Sequence, residues 1–105
     1  MMKKYDVIIV GAGPGGIFSA YELITNNSDL KVAVFEEGHL LEKRKCPIDG
    51  DKVKKCISCK TCSIMSGFGG AGAFSDGKYN ITNDFGGTLY EYIGKKKAIE
   101  LMHYV

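Results

Sequence analysis

The chain has 105 residues, and its 14 Lys and Arg stand against 12 Asp and Glu, so the formal net charge at neutral pH is only +2. This balance excludes an obligate nucleic-acid binder. With 45% hydrophobic and 25% charged residues, the composition also excludes a disordered tail, a collagen-like rod and a membrane bundle.

The amino-terminal segment resembles a secretory signal only superficially. Two lysines precede the apolar run Val7–Val10, but that run is short and glycines come directly after it. We therefore expect no membrane partner and a cytoplasmic location. In that reducing compartment, cysteines more often serve as thiols, metal ligands or redox groups than as disulfides.

The first forty residues predict a βαβ unit. Residues 5–10 (YDVIIV) are typical of a strand buried on both faces of a parallel sheet. After a glycine-rich turn, apolar residues recur at helical spacing at Ile17, Ala20, Tyr21 and Ile24, and the helix should stop near residues 26–29. Residues 30–35 (LKVAVF) then predict a second strand. The predicted fold class is α/β, with an incomplete Rossmann-like unit that binds FAD or NAD(P).

The turn between the first strand and the helix fits the GxGxxG fingerprint. Gly11 would make the tight turn, Gly13 would let the backbone approach a pyrophosphate, and Gly16 would let the helix pack closely on the sheet. Pro14 suits the first helical turn, where no amide donor is needed. Glu36 ends the second strand, where its carboxylate could accept hydrogen bonds from adenosine ribose hydroxyls and repel a 2′-phosphate.

Two alternatives to FAD stay open for this motif. The same fingerprint serves NAD-dependent dehydrogenases, and the glycines could also form a tight turn in a sheet that binds nothing. Only four residues precede the first strand, a position that favours FAD.

Residues 42–60 predict a long basic loop, with seven basic against three acidic residues. It runs into a tandem CxxCxxC motif formed by Cys56, Cys59 and Cys62, to which Cys46 could add a fourth ligand. An iron–sulfur cluster, a structural zinc ion, a redox-active dithiol and four unliganded thiols all remain open. A small metal-stapled binding module, organised by this motif, is the alternative to an enzyme.

The second glycine segment, residues 66–78, reads SGFGGAGAFSDGK and lacks hydrophobic periodicity. Its amides could form an anion-binding nest against which a flat ring or a pyrophosphate lies, and a flexible linker is the alternative. Arg44 could contact a pyrophosphate or stack on adenine, although an arginine in a KRK run is more often solvated. Residues 89–104 predict an amphipathic helical stretch.

Three segments are predicted from these patterns. They are a dinucleotide-binding βαβ unit at residues 1–41, a cysteine- and glycine-rich insertion that contributes to the cofactor site at 42–88, and the start of a helical segment of a larger domain at 89–105. Two strands and one helix cannot bury both faces of a parallel sheet, so we expect the chain to be the amino-terminal part of a longer protein.

The motifs VIIVGAGPGG and FEEG resemble the amino terminus of the glutathione-reductase-like flavoproteins, which have two dinucleotide-binding domains. The motifs KRKCP, CISCKTC and GFGGAGAFSDGK resemble, more narrowly, a bacterial family of FAD-dependent dehydrogenases. The resemblance implies noncovalent FAD and hydride or electron transfer through the flavin. The electron donor and acceptor stay open, with NAD(P)H as one candidate donor. The resemblance also places the Gly69 and Gly70 region near the flavin side of the cofactor, and it implies that the chain by itself is inactive.

No catalytic residue is assigned from the sequence. The candidate cofactor-binding residues are Gly11, Gly13, Pro14, Gly15, Gly16, Glu36, Glu37, Arg44, Gly69, Gly70 and Ala71. The candidate metal ligands are Cys46, Cys56, Cys59 and Cys62.

Overall fold

A computed structural model of the chain describes residues 2–105 as two compact units. The first unit runs to Ser75 and the second comprises Asp76–Val105. No helix among residues 2–105 has the length and apolar composition needed to cross a lipid bilayer.

The first unit is built on a two-stranded parallel sheet. Strand β1 (Val7–Val10) pairs with β2 (Val32–Phe35), in a register that sets Val7 opposite Val32 and Val10 opposite Phe35. β-branched residues dominate both strands, as their restricted side-chain rotamers favour. Each strand is two residues shorter at its start than the sequence predicts. Before the ladder begins, the N–H of Asp6 donates to the Lys31 carbonyl, but the N–H of Lys31 donates to the side-chain carboxylate of Asp6 instead of to a backbone carbonyl.

Helix α1 (Pro14–Asn26) connects the two strands and packs on both of them. It begins at Pro14, whose fixed φ suits a first helical residue, and it ends at the asparagine pair where the sequence predicts a stop. The backbone N–H of Asn27 donates to the Leu23 carbonyl and closes the last turn. The predicted βαβ order is therefore present.

The sheet is only partly covered. The exposed fraction is 87% for Val10 and 59% for Ile8, whereas Ala12 is buried under the turn that follows β1. A parallel sheet normally has both faces covered by helices. The unit is accordingly a mixed α/β arrangement that is compatible with an incomplete Rossmann-like unit.

The rest of the first unit is irregular apart from two short 3₁₀ turns, at Leu41–Lys43 and Ala71–Phe74. The second unit contains helices α2 (Leu89–Ile93) and α3 (Lys95–Tyr104) in place of the single helical stretch that the sequence predicts. Gly94 separates them with φ of +83°, a left-handed conformation that ends α2 and allows α3 to start in a new direction.

Candidate dinucleotide site

The glycine turn closes the carboxyl end of the sheet. Gly11 has φ of +100°, which a side chain would strain, and its N–H donates to the Phe35 carbonyl over 2.6 Å. The chain thereby leaves β1 and remains tied to the end of β2. This is the tight turn expected of the first glycine in the fingerprint.

The amino terminus of α1 presents free amide donors. Gly13 caps the helix without a side-chain hydrogen bond, and the N–H groups of Gly15 and Gly16 have no acceptor among residues 2–105. First-turn amides have no partner within a helix, and the helix dipole places partial positive charge at the same end. This end of α1 can therefore bind a phosphate group.

Gly16 makes the closest contact between helix and sheet. A Cβ atom built at this residue would overlap the carbonyl oxygen of Gly11 and would lie 3.3 Å from the Cγ2 atom of Ile9. Only a glycine lets α1 approach the end of β1 at this distance. The third glycine of the fingerprint thus has the packing role predicted for it.

The carboxylate of Glu36 binds two backbone amides. Its Oε2 atom accepts from the N–H of Ala12 over 2.8 Å, and Oε1 accepts from the N–H of Gly38 over 2.9 Å. The Ala12 amide is the largest cause that lowers the pKa of Glu36, followed by the Gly38 amide. An ionised carboxylate has about four lone-pair positions, so acceptor capacity remains for ribose hydroxyls.

The second glycine segment packs against the first. The N–H of Gly69 donates to the Ala12 carbonyl over 2.8 Å, and a Cβ atom on Gly70 would lie 3.2 Å from the Cα atom of Gly13. Gly69 and Gly70 have φ of +89° and +66°, respectively, so both require the left-handed region. The segment is an ordered wall of the site in this structure, while Ala71 opens the exposed 3₁₀ turn that follows.

Arg44 is buried, which corrects the expectation that an arginine in a KRK run is solvated. Its exposed fraction is 5%, and its guanidinium lies 4.9 Å from the ring centroid of Phe74. Its nitrogens donate over 2.7–2.9 Å to the carbonyl oxygens of Ser63, Ile64, Phe68 and Gly70. The physical reason for burial is that four aligned carbonyls replace the water around the cation. Arg44 thus supports the second glycine segment from behind.

A cavity of about 370 Å³ lies at the carboxyl ends of both strands. Its lining is Val10, Gly11, Phe35, Glu36, Glu37, Met65, Ser66, Gly67 and Gly70. In open α/β sheets, ligands bind outside the carboxyl ends of the strands. The cavity therefore lies where the fold places a nucleotide.

An apolar groove of about 530 Å³ runs along α1 beside this cavity, and Glu36 lines both. Ala12, Gly38 and Phe68 line the groove, and none of them was a sequence candidate. The sequence did contain a signal for Gly38, because this glycine follows Glu36 by two residues. The structure shows why a glycine is needed there, since a Cβ atom would lie 2.5 Å from the Cα atom of Gly67. The sequence contained no signal for Ala12, since both its contacts use backbone atoms.

The four cysteines lie apart from this site and are free thiols, with Cys46 half-buried and the others exposed. Among residues 2–105, no three His, Cys, Asp or Glu side chains are positioned to hold a single metal ion. The backbone N–H groups of Met65 and Ile64 lower the pKa of the Cys62 thiol. An iron–sulfur cluster or zinc ion at these residues therefore remains a prediction.

A family model described as the Thi4 family matches residues 1–41, the segment that contains β1, the glycine turn, α1, β2 and Glu36. The match points to an amino-terminal region of the FAD-dependent flavoprotein type. The match does not point to the glutathione-reductase-like group in particular, to which the sequence motifs were compared. No curated protein and no solved structure matches the chain.

Proposed function

We propose that this chain binds the ADP half of FAD at the carboxyl ends of β1 and β2, as the first part of an FAD-dependent oxidoreductase. The observation that carries the proposal is the placement, at the carboxyl ends of the two strands, of free α1 amides, the Glu36 carboxylate and a cavity of about 370 Å³ that Gly11, Glu36 and Gly70 line. The flavoprotein-type match over residues 1–41 supports FAD over NAD.

The residues present fit such a cofactor. The amides of Gly15 and Gly16 would hold the pyrophosphate, which approaches past the bare Cα of Gly13. Glu36 would accept hydrogen bonds from the ribose while it keeps its contact with Ala12. Gly70 lies against Gly13 and Gly69 donates its N–H to the Ala12 carbonyl, so the diphosphate would pass this segment on its way to the flavin. Bound flavin supplies hydride or electron transfer, and the protein supplies binding and orientation.

Two candidate residues have other contacts in the structure. Arg44 directs its donors at backbone carbonyls, so we assign it to support of the second glycine segment. Glu37 is exposed and lines the cavity, so we propose it as a rim residue of the site.

The proposal is tested by titrating the full chain with FAD, ADP and FMN in a calorimeter. FAD and ADP should bind and compete with each other, because both carry the diphosphate and the adenosine ribose. FMN should not compete, because it lacks the ADP half. Binding of FMN alone, or of none of the three, would refute the proposal.

A variant pair tests the glycine approach directly. Gly13 has ordinary extended backbone and free space for one methyl group, so Gly13→Ala should fold yet weaken FAD binding about tenfold. Gly72→Ala is the matched control, since a Cβ atom there meets open space and the residue lies in the exposed 3₁₀ turn rather than at the start of α1. Equal affinity of both variants for FAD would show that the pyrophosphate does not approach Gly13.

A further inference from the structure

All four cysteines face one cavity of about 90 Å³, although Cys46 is separated from the CxxCxxC motif by nine residues. The rest of the lining is Pro47, Ile48, Ile57, Ser58 and Ser63. None of these residues lines the cavity at the carboxyl ends of β1 and β2. The thiols therefore form a second, separate site with mostly apolar walls.

Two hydrogen bonds between side chains and the backbone bring these cysteines together. Arg44, two residues before Cys46, donates from Nε to the carbonyl of Ser63, the residue after Cys62, over 2.8 Å. Between the cysteines, the Asp49 carboxylate accepts from the N–H of Val53 over 2.8 Å, which closes a compact turn. The loop is thus pinned at both ends and folded back at its middle, without any strand or helix of its own between Lys43 and Ala71.

A backbone N–H group points at one of the sulfur atoms. The N–H of Ser58 donates to the Sγ atom of Cys56 over 3.4 Å, and Ser58 adopts φ of +53°, unusual for a residue with a side chain. Such hydrogen bonds to sulfur orient thiolate ligands and tune the centre that they hold.

The spacing and the size of the cavity favour a polynuclear centre over a single ion. Structural zinc sites commonly draw two ligands from each of two separated pairs, whereas three cysteines in a C-x₂-C-x₂-C run are typical of iron–sulfur proteins. No three of the described side chains surround a single ion, yet all four thiols border a common space. That space exceeds what one ion needs, since one water molecule occupies about 30 Å³ in the liquid.

We propose that Cys46, Cys56, Cys59 and Cys62 bind a [4Fe–4S] cluster. Each thiol would lose its proton on binding, and the four thiolates would meet a loop with seven basic residues in 42–60. The apolar side chains of Ile48 and Ile57 would limit water access to the cluster. This site is independent of FAD binding, so either proposal can fail without the other.

The test uses the full chain, purified without oxygen and incubated with sulfide and equal amounts of ferrous and ferric iron, which supply the two Fe²⁺ and two Fe³⁺ of the oxidised cluster. After desalting, iron and acid-labile sulfide are quantified, and the reduced sample is studied by electron paramagnetic resonance. We expect about four iron and four sulfide per chain, with a visible absorption band that bleaches on reduction. A parallel sample receives zinc alone.

Variants locate the ligands. Cys46→Ser and Cys59→Ser should each retain roughly tenfold less iron, and Thr61→Ser, which leaves every thiol in place, should retain the full amount. One zinc bound tightly without iron uptake would overturn the cluster in favour of a structural ion, and uptake of neither metal would overturn the site altogether. Where a variant fails to fold, the iron and sulfide content of the unmodified chain still tests the cluster proposal.

Discussion

Glu36 and Ala12 are joined across 24 residues of sequence by a hydrogen bond of 2.8 Å from the Ala12 amide to the Glu36 carboxylate. The same alanine accepts a hydrogen bond from Gly69 through its carbonyl. One buried residue thus couples the glycine turn, the end of β2 and the second glycine segment. Loss of any of these contacts should loosen the whole site.

Stability should depend on pH through Glu36. Amide donors lower the pKa of this carboxyl below its ordinary value of 4.5, so the folded state favours the ionised form. The contribution is therefore fully present above the unfolded pKa and is lost as pH falls through the lowered folded pKa. Urea unfolding of wild type should show a midpoint that declines below about pH 4.5.

Glu36→Gln should unfold at lower urea concentration than wild type at pH 7, and its midpoint should change less on acidification. Asp49 also has a lowered pKa, so the difference between wild type and variant isolates Glu36. Glu37→Gln, at the exposed neighbour, is the control. Identical pH profiles for wild type and Glu36→Gln would contradict a role for this carboxylate in folding.

Adjacent glycines in α1 should respond oppositely to alanine. Gly16→Ala forces a methyl group onto the Gly11 carbonyl and should lower the free energy of unfolding by about 1–3 kcal/mol. At Gly15 a Cβ atom meets nothing within 4 Å, so Gly15→Ala should raise the free energy of unfolding by about 0.5–1 kcal/mol. Chemical denaturation measures both. A tolerated Gly16→Ala would mean that α1 does not pack this closely on β1.

Removal of the Arg44 guanidinium should loosen the second glycine segment. Arg44→Met leaves four backbone carbonyls without their donor, and each buried, unpaired group costs about 1–3 kcal/mol. Hydrogen exchange at the Gly69 amide should accelerate, because its contact with Ala12 depends on the ordered segment. Lys43→Met, at an exposed neighbouring cation, should leave this exchange unchanged. If exchange at the Gly69 amide stays slow in Arg44→Met, contacts other than those of Arg44 keep the segment ordered.

The ribose site should discriminate against a 2′-phosphate. Glu36 is held ionised by its amide contacts, and a second negative charge beside it is repelled. 5′-AMP should therefore bind at least about tenfold more tightly than 2′,5′-ADP, which differs from it only by the 2′-phosphate. In Glu36→Ala the two affinities should converge, while the affinity for 5′-AMP falls through the loss of charged hydrogen bonds. Equal affinity of the wild type for both ligands would show that Glu36 does not contact the ribose.

Local patterns in the sequence were sufficient to predict the βαβ unit. The apolar runs of β1 and β2, the helical spacing after Gly16 and the turn residues at the end of α1 all act through neighbours in the chain. The same holds for Gly11 and Gly16, whose roles depend on one turn and one helix contact. The break at Gly94 was missed because a single glycine is also tolerated within a helix.

The sequence by itself determined the strand, turn, helix and strand order and the identity of the acid that follows β2, because each depends on side-chain periodicity or on the freedom of a glycine backbone. Only the tertiary structure decided that Arg44 is buried, that Ala12 links three segments and that Cys46 shares a cavity with Cys59. Those relationships join residues far apart in the chain, largely through backbone amides and carbonyls. Every residue type except proline carries both groups, so residue identity gives no sign of which ones will meet.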